Sequence, residues 1–297
     1  MSSSTPSSAS SSSAEPALSV VIGSNAPHAL AACLEALEPQ RDGCEVLVCE
    51  AKPSDTSIRE RFPWASFVEA PGALVPELWG NGIERSRGRI IALTIAQMVP
   101  AADWLSTIVR EHERHDAVGG AIDPGKDLRL VDWAEYFCRY ARDMLPFPAA
   151  DEELAGDNVA FKRSLLELHR EHLSTGYWEP VLHPALRRDG TTLWHTPDVV
   201  VRQGRSDGFA AFARQRVEHG RRYGRQRGEH FSGSRNLAGV LGAPLVPFLM
   251  TLRVLQRVRA KRRYRREAIV ALPLIFTFNA LWGYAEALGH LDMLRSR

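Results

Sequence analysis

The sequence predicts an α/β fold: a doubly wound, mostly parallel sheet followed by a C-terminal helical, membrane-associated region. Two observations carry this. Short apolar, β-branched runs alternate with segments of helical spacing through the first part of the chain. Near the end, two uncharged stretches, 237–252 and 268–285, flank a segment with eight Lys or Arg, at 253, 257, 259, 261, 262, 263, 265 and 266.

Taken in order, Leu18-Ser-Val-Val-Ile22 is a short apolar run ending at Gly23, as a buried parallel strand requires. From His28 to Leu37, Leu30, Cys33, Leu34 and Leu37 recur at helical spacing. Strands are expected at Glu45–Cys49, Trp64–Val68 and Arg89–Leu93, with helices at about 75–87 and 102–115. After Gly119-Gly-Ala-Ile-Asp-Pro-Gly125 come a helix at Leu130–Met144, a loop rich in Pro and acid, the run Leu154–Arg163 and another helix. In such a sheet ligands bind beyond the strand C-termini, so the loops of interest are 23–28, 50–57 and 94–100. None carries Gly-x-Gly-x-x-Gly or a Gly-Lys-Ser/Thr loop, which argues against dinucleotide dehydrogenases and P-loop enzymes.

The 297 residues, 44% of them hydrophobic, suffice for a sizeable core and an appendage. A net charge of +2 hides an asymmetry. From Val201 onward there are 19 Lys and Arg against 6 Asp and Glu, leaving 18 against 29 for residues 1–200. The division expected is a Ser-rich disordered tail at 1–16, an α/β domain at 17–205 and a basic, hydrophobic helical region at 206–297. Cys33, Cys44, Cys49 and Cys138 form no Cys-x-x-Cys pair, and the tail lacks the charged start and apolar middle of a secretion signal, so a reduced cytoplasmic compartment is expected.

At about 1.5 Å per residue the two uncharged stretches reach roughly 24 and 27 Å, against about 30 Å for a bilayer core. Pro244, Pro247 and Pro273 would kink them, so a hairpin that dips into or barely crosses the membrane is expected. Length alone also admits a pair of buried core helices. The Arg-rich connection favours anionic lipid at the cytoplasmic face as partner. The same apolar neighbours make lipid, and not nucleic acid, the expected anion for the basic run with Phe209, Phe212 and Tyr223.

Several motifs, in order, resemble those of family 2 glycosyltransferases, whose catalytic domain has the GT-A fold. Glu45-Val-Leu-Val-Cys-Glu-Ala-Lys-Pro-Ser-Asp-Thr-Ser57 is similar to the family's Glu-Val-Ile-Val-Val-Asp-Asp-Gly-Ser-Thr-Asp-x-Thr, with Ala51 on its second Asp. Gly80-Asn-Gly-Ile-Glu-Arg-Ser-Arg-Gly88 resembles Asn-x-Gly-Ile-x-x-Ala-x-Gly, with Gly80 for the leading Asn and Trp79 for the Arg before it. Ala155-Gly-Asp-Asn-Val-Ala-Phe-Lys-Arg163 resembles Gly-x-Asn-Met-Ala-Phe-Arg-Arg, and Gly176-Tyr-Trp-Glu179 lies where the family has Glu-Asp-x-Asp-Leu. Where the family carries its metal-binding Asp-x-Asp, this chain has Ile95, Ala96 and Gln97.

The resemblance implies a sugar transferred from a nucleotide-sugar to a lipid or polysaccharide acceptor. It puts Glu179 on the catalytic base, and His183, one helical turn on, within reach to orient it. It implies donor contacts from Glu50, Asp55 and Gln97, and a donor or acceptor loop at Gly156, Asp157 and Asn158. Ile95 and Ala96 offer no hard oxygen ligand, so divalent metal affinity is expected to be poor. Three solutions stay open. Arg214, Arg221, Arg222 and Arg225, of which 214, 221 and 225 share a helix face, could meet the diphosphate; a metal could be held elsewhere, by Asp157, Glu179 and His183; or the fold could serve as an inactive scaffold.

Overall fold

A computed structural model describes residues 15–229 and 231–296, so most of the expected tail lies outside the described residues. The chain opens with β1 (Leu18–Ser24), α1 (Pro27–Leu37), β2 (Cys44–Glu50), α2 (Thr56–Arg61), β3 (Ser66–Glu69), α3 (Val75–Arg85) and β4 (Ile90–Ile95). Every residue of β1 is buried, as expected for a strand hydrogen-bonded on both sides, here to β2 and β4 in parallel. Pro27 supplies the helical φ at the start of α1, and Leu30, Cys33, Leu34 and Leu37 bury the face their spacing predicts.

Next come β5 (Met98–Pro100), α4 (Trp104–Glu111), β6 (Ala117–Pro124), α5 (Leu130–Tyr140), β7 (Ala150–Asp151), β8 (Asn158–Lys162), α6 (Arg163–Leu168), α7 (Glu179–Arg188) and β9 (Leu193–Gln203). The sheet runs β3-β2-β1-β4-β8-β6-β9-β5, with β7 also on β9. β3, β2, β1, β4, β6 and β9 point one way, and β8 runs antiparallel between β4 and β6. The mostly parallel α/β class is thus as the sequence predicts. The β4–β8 register places Thr94 opposite Asn158, which brings Asp157 beside the C-terminal end of β4.

Strands β6 and β9 are not among the expected elements. β6 contains Gly119 and Gly120, which weaken its apolar signal, and β9 is interrupted where the register shifts opposite Gly120/Ala121. A Cβ on Gly120 would lie 1.9 Å from the Val199 carbonyl, so glycine is what lets the bulged strand come so close.

The C-terminal region is α8 (Phe209–Glu229), α9 (Gly233–Gly242), α10 (Val246–Lys261) and α11 (Arg265–Arg295). Two stretches, Gly233–Lys261 and Arg265–Arg295, are long and apolar enough to cross a membrane by length and composition. Their apolar windows are 17% and 39% buried, so much of that apolar surface faces outward, although Ala271, Ile275 and Phe278 of the second stretch join the core. α11 packs along α8 through a glycine seam. A Cβ at Gly224 would lie 2.2 Å from the Glu286 carbonyl oxygen, and one at Gly289 would lie 2.3 Å from that of Arg221. Because the obstacle is backbone, a side chain there must push the helices apart. Gly289→Ala is expected to cost about 1–3 kcal/mol, read as a lowered denaturant midpoint. Gly242→Ala, which meets nothing within 4 Å, should leave the midpoint unchanged or slightly raised.

Candidate active site

Beyond the C-terminal ends of β1 and β4 lies a cavity of about 170 Å³. Asn25, Trp79, Ile95 and Gln97 form one wall, Glu135 and Arg139 of α5 another, and Asp157, Trp178 and Glu179 a third. Phe212, Gln215 and His219 of α8 close it from above.

Glu179 is the first residue of α7, where its side chain leaves the helix and turns to the loop before β8; Oε1 accepts the Gly156 N–H at 2.8 Å. Glycine is required there, since a Cβ at Gly156 would lie 2.8 Å from that oxygen and 2.9 Å from the Trp79 ring. Burial raises the Glu179 carboxyl above the ordinary range. The Gly156 N–H opposes this in part, and the neighbouring Asp157 adds to it.

Arg139 brings the positive charge. Its Nη2 donates to Asp157 Oδ2 at 2.7 Å, which also accepts from Tyr140 OH at 2.6 Å, and Nη1 lies 3.4 Å from Glu135 Oε1. Burial works against the guanidinium's charge, but Asp157, Tyr140 and Glu135 outweigh it and keep its pKa above the usual value. Glu135 is raised by burial, with Arg139 pulling the other way. His219 is lowered to about 4, first by burial and then by Arg139, Arg216 and Arg222, so it is neutral at physiological pH. Two acceptors, Gln97 Oε1 and Asp157 Oδ1, are buried and receive no hydrogen bond among the described residues.

Of the residues singled out in the sequence, Glu179, Gln97 and Asp157 line this cavity and Gly156 shapes it. The others lie elsewhere. His183 is fully buried, with Nδ1 2.7 Å from Glu153 Oε2 and Nε2 3.0 Å from Tyr177 OH, so both ring nitrogens are committed away from Glu179. Glu50 is also fully buried; it accepts the Ser54 N–H at 2.9 Å and Arg59 Nη2 at 2.7 Å, while Asp55 is exposed at the start of α2. Asn158 is a staple: its amide donates to the Ala121 and Val199 carbonyls, and its oxygen accepts Trp104 Nε1. Arg221 and Arg225 lie 2.8 and 3.8 Å from Asp292, and Arg214 is exposed. The glycine seam fixes the rotation of α8, so that Phe212, Gln215 and His219 face the cavity and these arginines do not.

Two departures from the family motifs have steric causes. A Cβ at Gly80 would lie 2.7 Å from the Cα of Gly176, whose φ of +105° favours glycine, so no Asn side chain fits. Trp79 spans from Gly156 to β1 and donates from Nε1 to the Thr94 carbonyl at 2.7 Å, filling space beside the cavity.

A divalent metal does not fit this arrangement. Ile95 and Ala96 carry no oxygen ligand, Asp157 Oδ2 is taken by Arg139 and Tyr140, and His183 is turned away from Asp157 and Glu179. Among the described residues no three His, Cys, Asp or Glu come together to hold an ion.

No protein-family model matches the sequence, and no curated protein matches it. One solved structure with a TM-score above 0.5 shares the fold. "Mannosyltransferase PcManGT from Pyrobaculum calidifontis in complex with GDP-Man and Mn2+" is 16% identical, over 96% of this chain and 87% of that one, with a TM-score of 0.51. A mycobacterial protein is 19% identical over 69% of this chain and 73% of its own, with a TM-score of 0.47. The chain therefore has a glycosyltransferase-like fold.

Proposed function

We propose that the chain is a membrane-associated glycosyltransferase of the family 2 kind, with its catalytic domain at 17–205 and a membrane-docking region at 206–297. It moves a sugar from a nucleotide-sugar to a lipid or polysaccharide acceptor at the cytoplasmic face. The observation that carries this reading is the meeting of Glu179 and Arg139 in one cavity beyond the strand ends.

Glu179, held by the Gly156 N–H, takes the proton from the acceptor hydroxyl as that oxygen forms its bond to the anomeric carbon. The bond from that carbon to the nucleoside diphosphate breaks, and the Arg139 guanidinium meets the departing charge. Gln97 Oε1 and Asp157 Oδ1 are free to accept from donor hydroxyls. At about 170 Å³ the cavity is smaller than the roughly 300–1,000 Å³ usual for ligand sites. A whole donor therefore requires outward movement of the α8 roof or rotation of Trp79.

That small volume also favours a second reading, an inactive scaffold that keeps the fold to hold partners at the membrane. Calorimetric titration with UDP-, GDP- and dTDP-sugars separates the two. GDP-mannose belongs in the panel because PcManGT was solved with it. The enzyme reading expects saturable heat with one nucleotide class in EDTA, unchanged by Mn²⁺. Silence across the panel under both conditions rejects it.

A further inference from the structure

The C-terminal helices expose many apolar side chains. Along α9, the following turn and α10, Leu237, Leu241, Leu245, Phe248, Leu249 and Leu252 are each at least 49% exposed, at spacings that put them on one helical face. On α11, Ile269 and Val270 are exposed as well. The inward faces are packed: Asn279 Nδ2 donates to Thr251 Oγ1 at 3.1 Å, and His290 Nδ1 lies 2.8 Å from Asn236 Oδ1.

α11 is attached to the rest of the protein along its whole length. Its first half packs on α5, where Tyr264, just before the helix, lies tilted against Trp133 at 5.0 Å and Cys138 Sγ donates to the Ile275 carbonyl. Its second half packs on α8, where Phe212 meets Phe278, Gly224 meets Glu286 and Gly228 meets Met293. α9 and the start of α10 run antiparallel to the middle and second half of α11, with Asn236 on His290, Val246 on Gly283 and Phe248 on Phe276. The apolar stripe and the arginine-rich α8 thus stand at the same level along α11. A bilayer crossed by the stripe would also enclose Arg214, Arg221, Arg225 and Arg227, all exposed, and the helix that roofs the cavity.

We propose that the outward faces of α9, α10 and α11 form a one-sided docking surface on an anionic lipid bilayer, on which the chain lies flat and which it does not cross. This rests on the membrane-associated reading above and supplies its geometry. Lying flat buries the stripe at the depth of the acyl boundary and leaves α8 on the protein side. Charge complementarity selects the occupant: Arg253, Arg257, Arg259, Arg262, Arg265 and Arg266 are exposed around the end of the hairpin, where lipid phosphates would meet them.

The test is co-sedimentation of the full chain with vesicles of phosphatidylcholine alone or mixed with phosphatidylglycerol, followed by an alkaline carbonate wash. Flat docking expects binding to the mixed vesicles, release by carbonate, and at least about a ten-fold loss of partitioning in Phe248→Asp/Leu249→Asp. Both substitutions fall on exposed positions, and circular dichroism checks that the variant folds. Retention through carbonate by wild type and variant alike means the hairpin crosses, which overturns flat docking and leaves the membrane reading standing. No binding to either vesicle overturns both. Dimers in light scattering that the variant dissolves, without lipid binding, assign the stripe to a second copy and also overturn the proposal.

Discussion

Glu179→Gln is expected to lower kcat by about 10²–10⁴-fold while leaving nucleotide-sugar affinity within a few-fold of wild type. The amide keeps the size of the side chain and can still accept the Gly156 N–H through its oxygen, so loop and cavity are retained. What is lost is the capacity to take a proton. The wild-type pH profile follows from the same environment. Only the carboxylate is a base, and burial raises its pKa, so turnover falls as the pH drops through a value above that of an ordinary carboxylic acid. Steady-state rates from acid to neutral pH, with calorimetry on the variant, check both statements. An unchanged kcat in Glu179→Gln removes Glu179 from the chemistry.

Arg139→Met is expected to lower kcat/KM by about 10²–10³-fold, the scale on which loss of one preorganised charge-stabilising group is felt. The substitution also strips Asp157 and Glu135 of their cation, and an orphaned buried carboxylate costs about 3–5 kcal/mol of stability. The two effects separate in the double variant Arg139→Met/Asp157→Asn, which should recover much of the denaturant midpoint and none of the activity. Arg139→Lys keeps the charge without the forked geometry and should fall between wild type and Arg139→Met. If the double variant regains activity together with stability, Arg139 is a structural support and not a phosphate ligand.

Much of the architecture is legible in the chain because local pattern and tertiary role coincide there. β1, β2 and β4 are continuous apolar runs, and α1 buries each residue its spacing singles out. β6 and β9 escape because their pairing depends on close backbone approach at Gly120 and on a bulge, neither of which leaves an apolar period. At the site, Glu179, Gly156 and Asp157 come from motifs that keep their order and Gln97 from the place of the replaced Asp-x-Asp, and the fold brings them together. His183 misleads because helical proximity to Glu179 assumes that both side chains follow the helix, whereas Glu179 at the first position leaves it. Composition draws the eye to the arginines of α8, which the structure turns away from the cavity, while Arg139 lines it. Arg139 sits singly on α5, and its signal is its spacing of four from Glu135. The departures at Gly80 and Trp79 from the family motif are, in the structure, packing choices around Gly176 and Gly156.

A structure of the chain crystallised with its nucleotide-sugar in EDTA tests the central claim most directly. The account predicts the diphosphate within hydrogen-bond distance of Arg139, the anomeric carbon facing Glu179, and α8 or Trp79 displaced from its present place. A nucleotide bound outside this cavity, or an Arg139 that still holds only Asp157 and Glu135 while the sugar lies away from Glu179, would contradict it.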